Sequence, residues 1–158
     1  MIRIIGIGSP FGDDACGLAA ARQLADPPPA GSEVIAADRP GAGLIELLDG
    51  VEATILIDAV RSGSPPGTLH DLDLRELLRS PVRVVSSHDL GVAEAVQLAA
   101  ALGRLPARGR LLGIETAPRA RARCDPAVRA AIAGVVSRAR EWVSRFHLDA
   151  RASAFSTM

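Results

Sequence analysis

The stretch MIRIIGIGSPFGDDACGLAAARQLADPPP (residues 1–29) decides the fold, because it passes from a strand through a glycine-rich loop into a helix. Its β-branched run at residues 2–7 predicts a strand, with Gly6 and Gly8 marking its end. Residues 14–25 have the composition of a helix, and the prolines at residues 27–29 end it. A strand, a loop and a helix in this order begin an α/β unit.

The remainder of the chain continues the alternation of short apolar strands with helices. Strands are predicted at residues 33–37, 53–58, 68–72, 82–85 and 110–114, and helices at residues 44–48, 74–79, 88–102 and from Pro126 onward. The last helix carries one apolar stripe, formed by Val128, Ile132, Val135, Ala139, Trp142 and Phe146.

This alternation predicts the fold class. We expect a three-layer α/β/α sandwich with a mostly parallel central sheet of about five strands. No repeat or change of composition marks a second domain. We therefore expect a single domain over residues 1–147, followed by a flexible carboxyl-terminal tail over residues 148–158.

The composition argues against nucleic-acid and membrane partners. The chain has 158 residues, of which 48% are hydrophobic, enough for one domain with its own core. Its 18 Lys and Arg residues balance its 18 Asp and Glu residues, and it has three Phe, one Trp and no Tyr. It thus lacks the net positive charge and the stacking side chains that nucleic-acid binding uses. We expect a monomer when the protein is free.

Cysteine content and hydropathy indicate a cytoplasmic protein. Only Cys16 and Cys124 could pair, and two cysteines form neither a disulfide scaffold nor a zinc module. The amino terminus lacks the features of a signal peptide, and no apolar run approaches the length of about 18 residues that spans a membrane. The reducing cytosol is therefore the expected location.

The glycine-rich loop at residues 6–14 admits a nucleotide-binding interpretation, since a helix start offers free backbone N–H groups to a phosphate. A G-x-G-x-x-G motif would need its third glycine at Phe11, whereas this sequence has Gly12. Asp13 and Asp14 also occupy the start of the helix, where their carboxylates repel a pyrophosphate. A non-catalytic nucleotide-binding module is therefore the alternative hypothesis.

Three side chains capable of chemistry follow three predicted strands. Asp14 follows the first strand, Asp58 ends the third, and His88 follows the run at residues 82–85. Singly, each has a structural explanation, in a helix cap, a strand-ending turn or a helix start. Together they favour a shared functional site, because the carboxyl ends of parallel strands meet at one edge of a sheet. Two carboxylates and an imidazole there suit a divalent metal with open coordination positions.

These side chains lie in three motifs that occur in order along the chain. The motifs are Gly6-x-Gly8-x-x-x-Gly12-Asp13-Asp14-x-x-Gly17, Ile57-Asp58-Ala59 and Ser87-His88-Asp89-Leu90-Gly91, accompanied by Pro40-Gly41-Ala42-Gly43 and Leu112-Gly113-Ile114-Glu115. In this combination, the sequence resembles the NiFe-hydrogenase maturation protease family over nearly the whole chain, from Met1 to Arg145.

The resemblance implies a cytosolic endopeptidase that removes the carboxyl-terminal extension of a NiFe-hydrogenase large-subunit precursor after nickel insertion. The family's metal-binding and catalytic positions match Asp14, Asp58 and His88, and we expect Asp13 to act as a supporting carboxylate. The nickel would belong to the precursor, so that the protease senses it and holds no permanent cofactor. The large-subunit precursor is accordingly the expected partner.

Two residues depart from the family pattern. Ser9 stands where the family often has Asn, and Cys16 stands where it usually has Gly or a small aliphatic residue. Cys16 opens a second enzymatic hypothesis, a thiol nucleophile activated by the helix start and by His88. We disfavour this hypothesis because Asp13 and Asp14 would raise the pKa of the thiol.

Arginines concentrate near the last predicted strand, with Glu115 as the acidic residue among them. They are Arg104, Arg108, Arg110, Arg119, Arg121 and Arg123. A solvated surface is the simplest interpretation, and a docking patch for an acidic substrate surface is the alternative. His70 and His147 have no acidic or cysteine neighbour at ligand spacing, and we expect both at the surface.

Overall fold

The computed structural model of the chain describes residues 1–79, 90–118 and 123–156, with side chains as far as residue 154. Its strands are β1 (Ile2–Gly8), β2 (Ser32–Asp38), β3 (Ala53–Val60), β4 (Leu69–Asp73) and β5 (Arg108–Glu115). Its helices are α1 (Cys16–Leu24), α2 (Gly43–Leu48), α3 (Leu74–Arg79), α4 (Val92–Ala101) and α5 (Pro126–Ser156), and a 3-10 turn (Gly12–Ala15) precedes α1. The strand predicted at residues 82–85 and the side chain of His88 lie outside the described residues.

The strands form one sheet in the order β2-β1-β3-β5-β4. β1, β2, β3 and β5 run parallel, and β4 runs antiparallel to β5. The prediction of a mostly parallel sheet of about five strands is thus confirmed. From β1 the chain goes to β2 on one side and then returns to β3 on the other side, so a topological switch point lies between the carboxyl ends of β1 and β3.

Two apolar cores, one on each face of the sheet, hold the helices in place. Helices α1 and α5 cover one face, where they pack on Ile55 and Ile57 of β3. Helices α2, α3 and α4 cover the other face, where Leu56 of the same strand lies. β3 is apolar on both faces because helices cover both. Burial of each of these three side chains stabilises the fold by about 1.5–3 kcal/mol, and the three-layer sandwich is confirmed.

Helix α5 is longer than the sequence predicts. Five of its six predicted stripe residues are buried, namely Val128, Ile132, Val135, Ala139 and Phe146. Trp142 is only half-buried, because its indole Nε1–H reaches out to donate a hydrogen bond to Asp71 Oδ2 (2.9 Å). Residues 148–156 continue the helix where a flexible tail was expected, since this segment contains no Pro or Gly and is rich in Ala.

The helices do not have the character of membrane spans. Helix α5 is long but carries exposed arginines along its length, at positions 129, 138 and 145. Helix α4 is apolar but has only 10 residues, and a span needs about 20. Within the three described ranges, no helix is both long and apolar enough to cross a bilayer.

Candidate active site

Three glycines let the start of α1 lie directly on β1. A Cβ atom at Gly6 would lie 2.1 Å from the Gly17 carbonyl oxygen, and one at Gly8 would lie 2.0 Å from the Asp14 carbonyl oxygen. A Cβ atom at Gly17 would lie 2.0 Å from the Ile7 carbonyl oxygen. Side chains do not fit at these distances, so backbone packing explains the glycine-rich pattern without a bound phosphate.

The glycine-rich loop closes on itself and leaves little for a nucleotide to bind. The Ser9 backbone N–H donates to the Asp14 carbonyl oxygen (3.1 Å), so this donor is already used. Asp13 and Asp14 lie in the first turn after the loop, where their charges oppose a pyrophosphate. The geometry therefore does not favour the nucleotide-binding alternative.

Asp14 and Asp58 flank the topological switch point of the sheet. Asp14 lies in the 3-10 turn after β1, and Asp58 lies near the carboxyl end of β3, one residue beyond Ile57, which pairs with Gly6 of β1. Asp14 is half-buried, whereas Asp58 is only 4% exposed. Asp58 Oδ1 accepts one hydrogen bond, from the N–H of Ala59 (2.8 Å). The structure therefore brings two of the three predicted ligands to the same edge.

The environment of Asp58 disfavours its ionised form. Burial removes water from the carboxylate and, together with the nearby negative charge of Asp14, raises the pKa of Asp58 to about 8. The Ala59 N–H lowers this pKa, but it does not compensate for the burial. A cation at this position would stabilise the carboxylate and displace its proton. Burial with so few hydrogen bonds thus suits Asp58 to bind a positively charged group.

Asp13 joins the glycine-rich loop to the start of α5. It is 6% exposed, and its Oδ1 atom accepts a hydrogen bond from the N–H of Asp125 (2.6 Å). Asp125 in turn caps α5, because its Oδ1 atom accepts from the N–H of Ala127 (2.8 Å). Asp13 Oδ2 is buried and makes no hydrogen bond of good geometry among the described residues, but the Cys124 thiol lies near this carboxylate; burial, and then the charge of Asp13, raise the pKa of that thiol. A buried carboxylate oxygen without such a hydrogen bond is unfavourable, and a nearby cation would relieve this.

Helix capping and a strand-ending turn, the purely structural explanations of these aspartates, hold only in part. No side-chain capping hydrogen bond is made at the 3-10 turn or at the start of α1, so helix capping does not account for Asp13 and Asp14. Asp58 does bond its own turn, as the structural explanation of that residue expected. Among the described ranges, no group of three His, Cys, Asp or Glu side chains could hold a metal, and His88 lies outside them.

Cys16 is buried in the core beneath this edge and is unsuited to nucleophilic attack. Burial is the largest cause of the raised pKa of its thiol, and the charges of Asp58 and Asp14 raise it further. A thiol becomes a nucleophile when its pKa is lowered, which is the opposite of what this site does. Cys16 therefore packs as a small apolar residue on the same face as α5.

A third buried carboxylate, Glu115, lies at the carboxyl end of β5, and the motifs of the sequence did not predict it as a site residue. It is 1% exposed, and its oxygens accept hydrogen bonds from Ser62 N (2.7 Å), Ser62 Oγ (2.8 Å), Gly63 N (3.0 Å) and His70 Nε2 (2.9 Å). Burial acts to raise the pKa of Glu115, but these hydrogen bonds outweigh it and lower the pKa below the ordinary value. Glu115 thereby fixes the turn that follows β3.

The contact with Glu115 corrects the expectation for His70, which was placed at the surface without an acidic neighbour. Its imidazole is half-buried against the Glu115 carboxylate. The antiparallel pairing of β4 with β5, in which His70 lies opposite Gly113, brings the two side chains together. Spacing along the chain does not reveal this pairing. His147 is exposed, as expected, and bonds the Ala30 carbonyl oxygen (2.9 Å).

The arginines near β5 are paired with acidic side chains from other parts of the chain. Arg104 contacts Asp49 (3.7 Å), Arg108 contacts Glu52, and Arg110 contacts Asp71 (2.7 Å). Arg110 also lies over the Trp142 ring, 4.2 Å from its centroid. The expected excess of positive charge is thus neutralised at these three positions, whereas Arg119 and Arg121 lie outside the described residues. For Arg104, Arg108 and Arg110, neither a purely solvated face nor an acid-binding patch fits, whereas Arg123 is exposed.

The fold and the acidic edge define an α/β domain with carboxylates at the topological switch point of its sheet. The family model for hydrogenase maturation proteases (HycI) matches residues 20–142, and the chain belongs to this family. The hydrogenase expression/formation protein HupD of Thiocapsa roseopersicina is 30% identical over 117 residues, which cover 64% of this chain and 53% of that protein. The match therefore spans about half the length of this curated relative.

Solved structures of similar proteins have the same fold. The hydrogenase maturating endopeptidase HybD from E. coli gives a TM-score of 0.71 at 21% identity, over 87% of this chain and 88% of that one. An endopeptidase from Escherichia coli gives a TM-score of 0.77 at 23% identity, over 87% of this chain and 88% of that one. The NiFe-hydrogenase maturation protease HybD from Thermococcus kodakarensis gives a TM-score of 0.65 at 23% identity, over 89% of this chain and 97% of that one.

Proposed function

We propose that this protein is an endopeptidase that removes the carboxyl-terminal extension of a NiFe-hydrogenase large-subunit precursor once nickel has been inserted. Membership of the hydrogenase maturation protease family supports this reaction class. The observation that carries the proposal is the state of Asp58, buried beside Asp14 at the switch point with a single hydrogen bond from the described residues. Such a carboxylate is suited to a cation that arrives with the substrate.

In this proposal the nickel is part of the substrate. Asp14, Asp58 and His88 contact it from the protease, while softer ligands of the precursor hold it. Three protease ligands leave coordination positions open, whereas a stable structural site usually closes four. The purified protease is therefore expected to hold no stoichiometric metal, and processing is expected to take place in the cytoplasm, where the precursor is its partner.

Asp13 has a supporting role in the same site. Its hydrogen bond to Asp125 fixes the loop that carries Asp14 against the start of α5. Its second oxygen adds negative charge near the edge without a hydrogen bond of good geometry from the described residues. Asp13 therefore positions the site and strengthens its attraction for a cation.

The test is to incubate the purified protein with a nickel-loaded large-subunit precursor and to weigh both products by mass spectrometry. The proposal predicts one cut that releases an intact carboxyl-terminal peptide. A precursor that already lacks its extension is the control and should stay unchanged. Absence of any cut, with a folded protein and a loaded precursor, would defeat the proposal.

A binding measurement tests the alternative function separately. Titration calorimetry with NAD, FAD and ATP should give no micromolar affinity, because the carboxylates of Asp13 and Asp14 occupy the helix start. Tight binding of any of these nucleotides would favour the nucleotide-binding module instead.

A further inference from the structure

Arg39 has a strained backbone at the edge of the sheet that carries the candidate site. Its φ angle is 44°, and it is the one non-glycine residue with a left-handed φ among the residues that the structure describes. The other left-handed positions are all glycines, at 12, 31, 41, 50, 63, 67 and 103. Arg39 also precedes Pro40, and a residue before proline is normally extended. Glycine would fit this position with less strain.

The contacts of the Arg39 side chain within the described residues do not offset the strain of its backbone. Its Nε and Nη2 atoms donate to Asp38 Oδ1 (2.7 Å) and Oδ2 (3.3 Å). These two side chains are 48% and 50% exposed, and ion pairs between exposed neighbours contribute little to stability. Strained backbone positions cluster at functional sites, so the strain at Arg39 suggests that this residue takes part in binding.

The position of Arg39 places it beside the candidate site. It directly follows β2, and its backbone N–H donates to the carbonyl oxygen of Gly8 (2.9 Å), which ends β1. Gly8 is in turn packed against the backbone of Asp14. The hydrogen bond and charge of Asp38 are the main causes that raise the pKa of the Arg39 guanidinium, and the charge of Asp14 adds to them, which agrees with this closeness.

The free donors of Arg39 indicate the chemistry of the ligand. Its Nη1 atom has no hydrogen-bond partner within the described part of the chain. Asp38 ends β2, Asp58 lies near the end of β3, and Asp13 and Asp14 lie in the turn after β1, so this acidic edge would repel a carboxylate. A main-chain carbonyl oxygen of a peptide is a neutral acceptor that tolerates this field.

We propose that Arg39 is a substrate-binding residue, and that it donates a hydrogen bond to a main-chain carbonyl oxygen of the precursor segment that lies across this edge. The inference rests on the proposed endopeptidase function. It assigns to Arg39 the binding of the peptide, whereas the aspartates contact the metal. The contact is the same in the bound substrate and in the transition state, so it lowers KM and leaves kcat unchanged.

The test compares Arg39→Gly, Arg39→Gln and Arg39→Lys with the wild-type protein on the nickel-loaded precursor. Arg39→Gly should raise the melting temperature, because it relieves the backbone strain, and yet raise KM about tenfold with kcat within about twofold. Arg39→Gln should raise KM similarly, and Arg39→Lys should retain part of the affinity. Added free guanidinium should partly restore cleavage by Arg39→Gly, which a purely structural role would not predict.

The matched control is Arg104→Gln. Arg104 and Asp49 form an ion pair whose side chains are 47% and 51% exposed, much like those of Arg39 and Asp38. Arg104, however, precedes β5 and so lies where the parallel strands begin, away from the candidate site. Its KM should equal that of the wild type. Equal KM values for Arg39→Gly and the wild type would overturn the inference, as would a loss confined to kcat.

Two further outcomes are distinguishable. A wild-type KM that rises steeply with salt, and loses this dependence in Arg39→Gln, would overturn the carbonyl assignment in favour of a carboxylate ligand. If the wild-type protein fails to cut the loaded precursor, the proposed function itself fails before any Arg39 variant is compared.

Discussion

Asp58 and Glu115 are both buried acids near the carboxyl ends of neighbouring parallel strands, β3 and β5, but their environments differ. Asp58 receives one hydrogen bond from the described residues, from its own turn, and its pKa is raised to about 8. Glu115 receives four hydrogen bonds, from Ser62, Gly63 and His70, and its pKa is lowered. Both side chains have almost no exposed surface, but Asp58 lies deeper in the protein, whereas the exposed turn at Ser62 and Gly63 covers Glu115. Depth of burial and the number of donors together decide whether the carboxylate is satisfied within the protein.

This difference separates a structural acid from one suited to bind a ligand. The hydrogen bonds of Glu115 are complete and fix the turn after β3, so a ligand would have to displace them. Asp58 has one donor among the described residues, the N–H of Ala59, and lies beside Asp14, so a cation would satisfy it.

The largest effect is expected from Asp58→Asn. The amide keeps the size of the side chain but removes the charge that contacts the cation, so cleavage of the loaded precursor should fall by more than about a hundredfold. The melting temperature should stay the same or rise, because a buried acid is removed. Asp49→Asn, at the opposite edge, should cleave normally. Wild-type turnover by Asp58→Asn would remove this residue from the site.

Glu115→Ala should show the opposite pattern: the free energy of unfolding should fall, while cleavage of the precursor is less affected. The substitution removes the charged acceptor that holds the exposed turn at Ser62 and Gly63 on β5, which should lower the free energy of unfolding by about 1.5–3 kcal/mol. Urea denaturation measures this change. Per folded molecule, cleavage should change less than with Asp58→Asn. If the unfolding free energy is unaltered, the hydrogen-bonded turn does not contribute as argued.

The pH dependence of the unfolding free energy tests whether the pKa of Glu115 is lowered in the folded protein. Its pKa in the folded protein lies below the ordinary value of 4.5, so its contribution is present above pH 4.5 and is lost as the pH falls through the folded pKa. The unfolding free energies of the wild type and Glu115→Gln should therefore differ at neutral pH and converge in acid. A difference that grew on acidification would contradict the lowered pKa.

The smallest effect on activity is expected from Cys16→Ala. The thiol is buried and its pKa is raised, so it packs and does not react. Cleavage should stay within a few-fold of the parent, while the small cavity costs about 1 kcal/mol of stability. Loss of all cleavage in a folded variant would instead support a thiol mechanism.

Much of the fold could be predicted from the sequence because local patterns encode it. The mostly apolar run of β3 predicted a strand covered on both faces, and the alternation of elements predicted the mostly parallel sheet. Because the carboxyl ends of parallel strands share an edge, the same argument brought Asp14 and Asp58 together without knowledge of any contact.

Contacts between residues remote in sequence could not be predicted in this way. The pairing of His70 with Glu115 depends on the register of the antiparallel strand β4, which spacing does not encode. The ion pair of Arg104 with Asp49 likewise joins two separate loops at the far edge. The length of α5 was underestimated because its apolar stripe ends before its helix-forming composition does.

The central claim is that the buried carboxylates recognise nickel carried by the substrate. The most direct test is to give the protease equal amounts of nickel-free and nickel-loaded precursor, with no free metal added, and to follow release of the carboxyl-terminal peptide over time. The account predicts cleavage of the loaded precursor only, with a protease that holds no stoichiometric metal of its own. Equal cleavage of both precursors would contradict it.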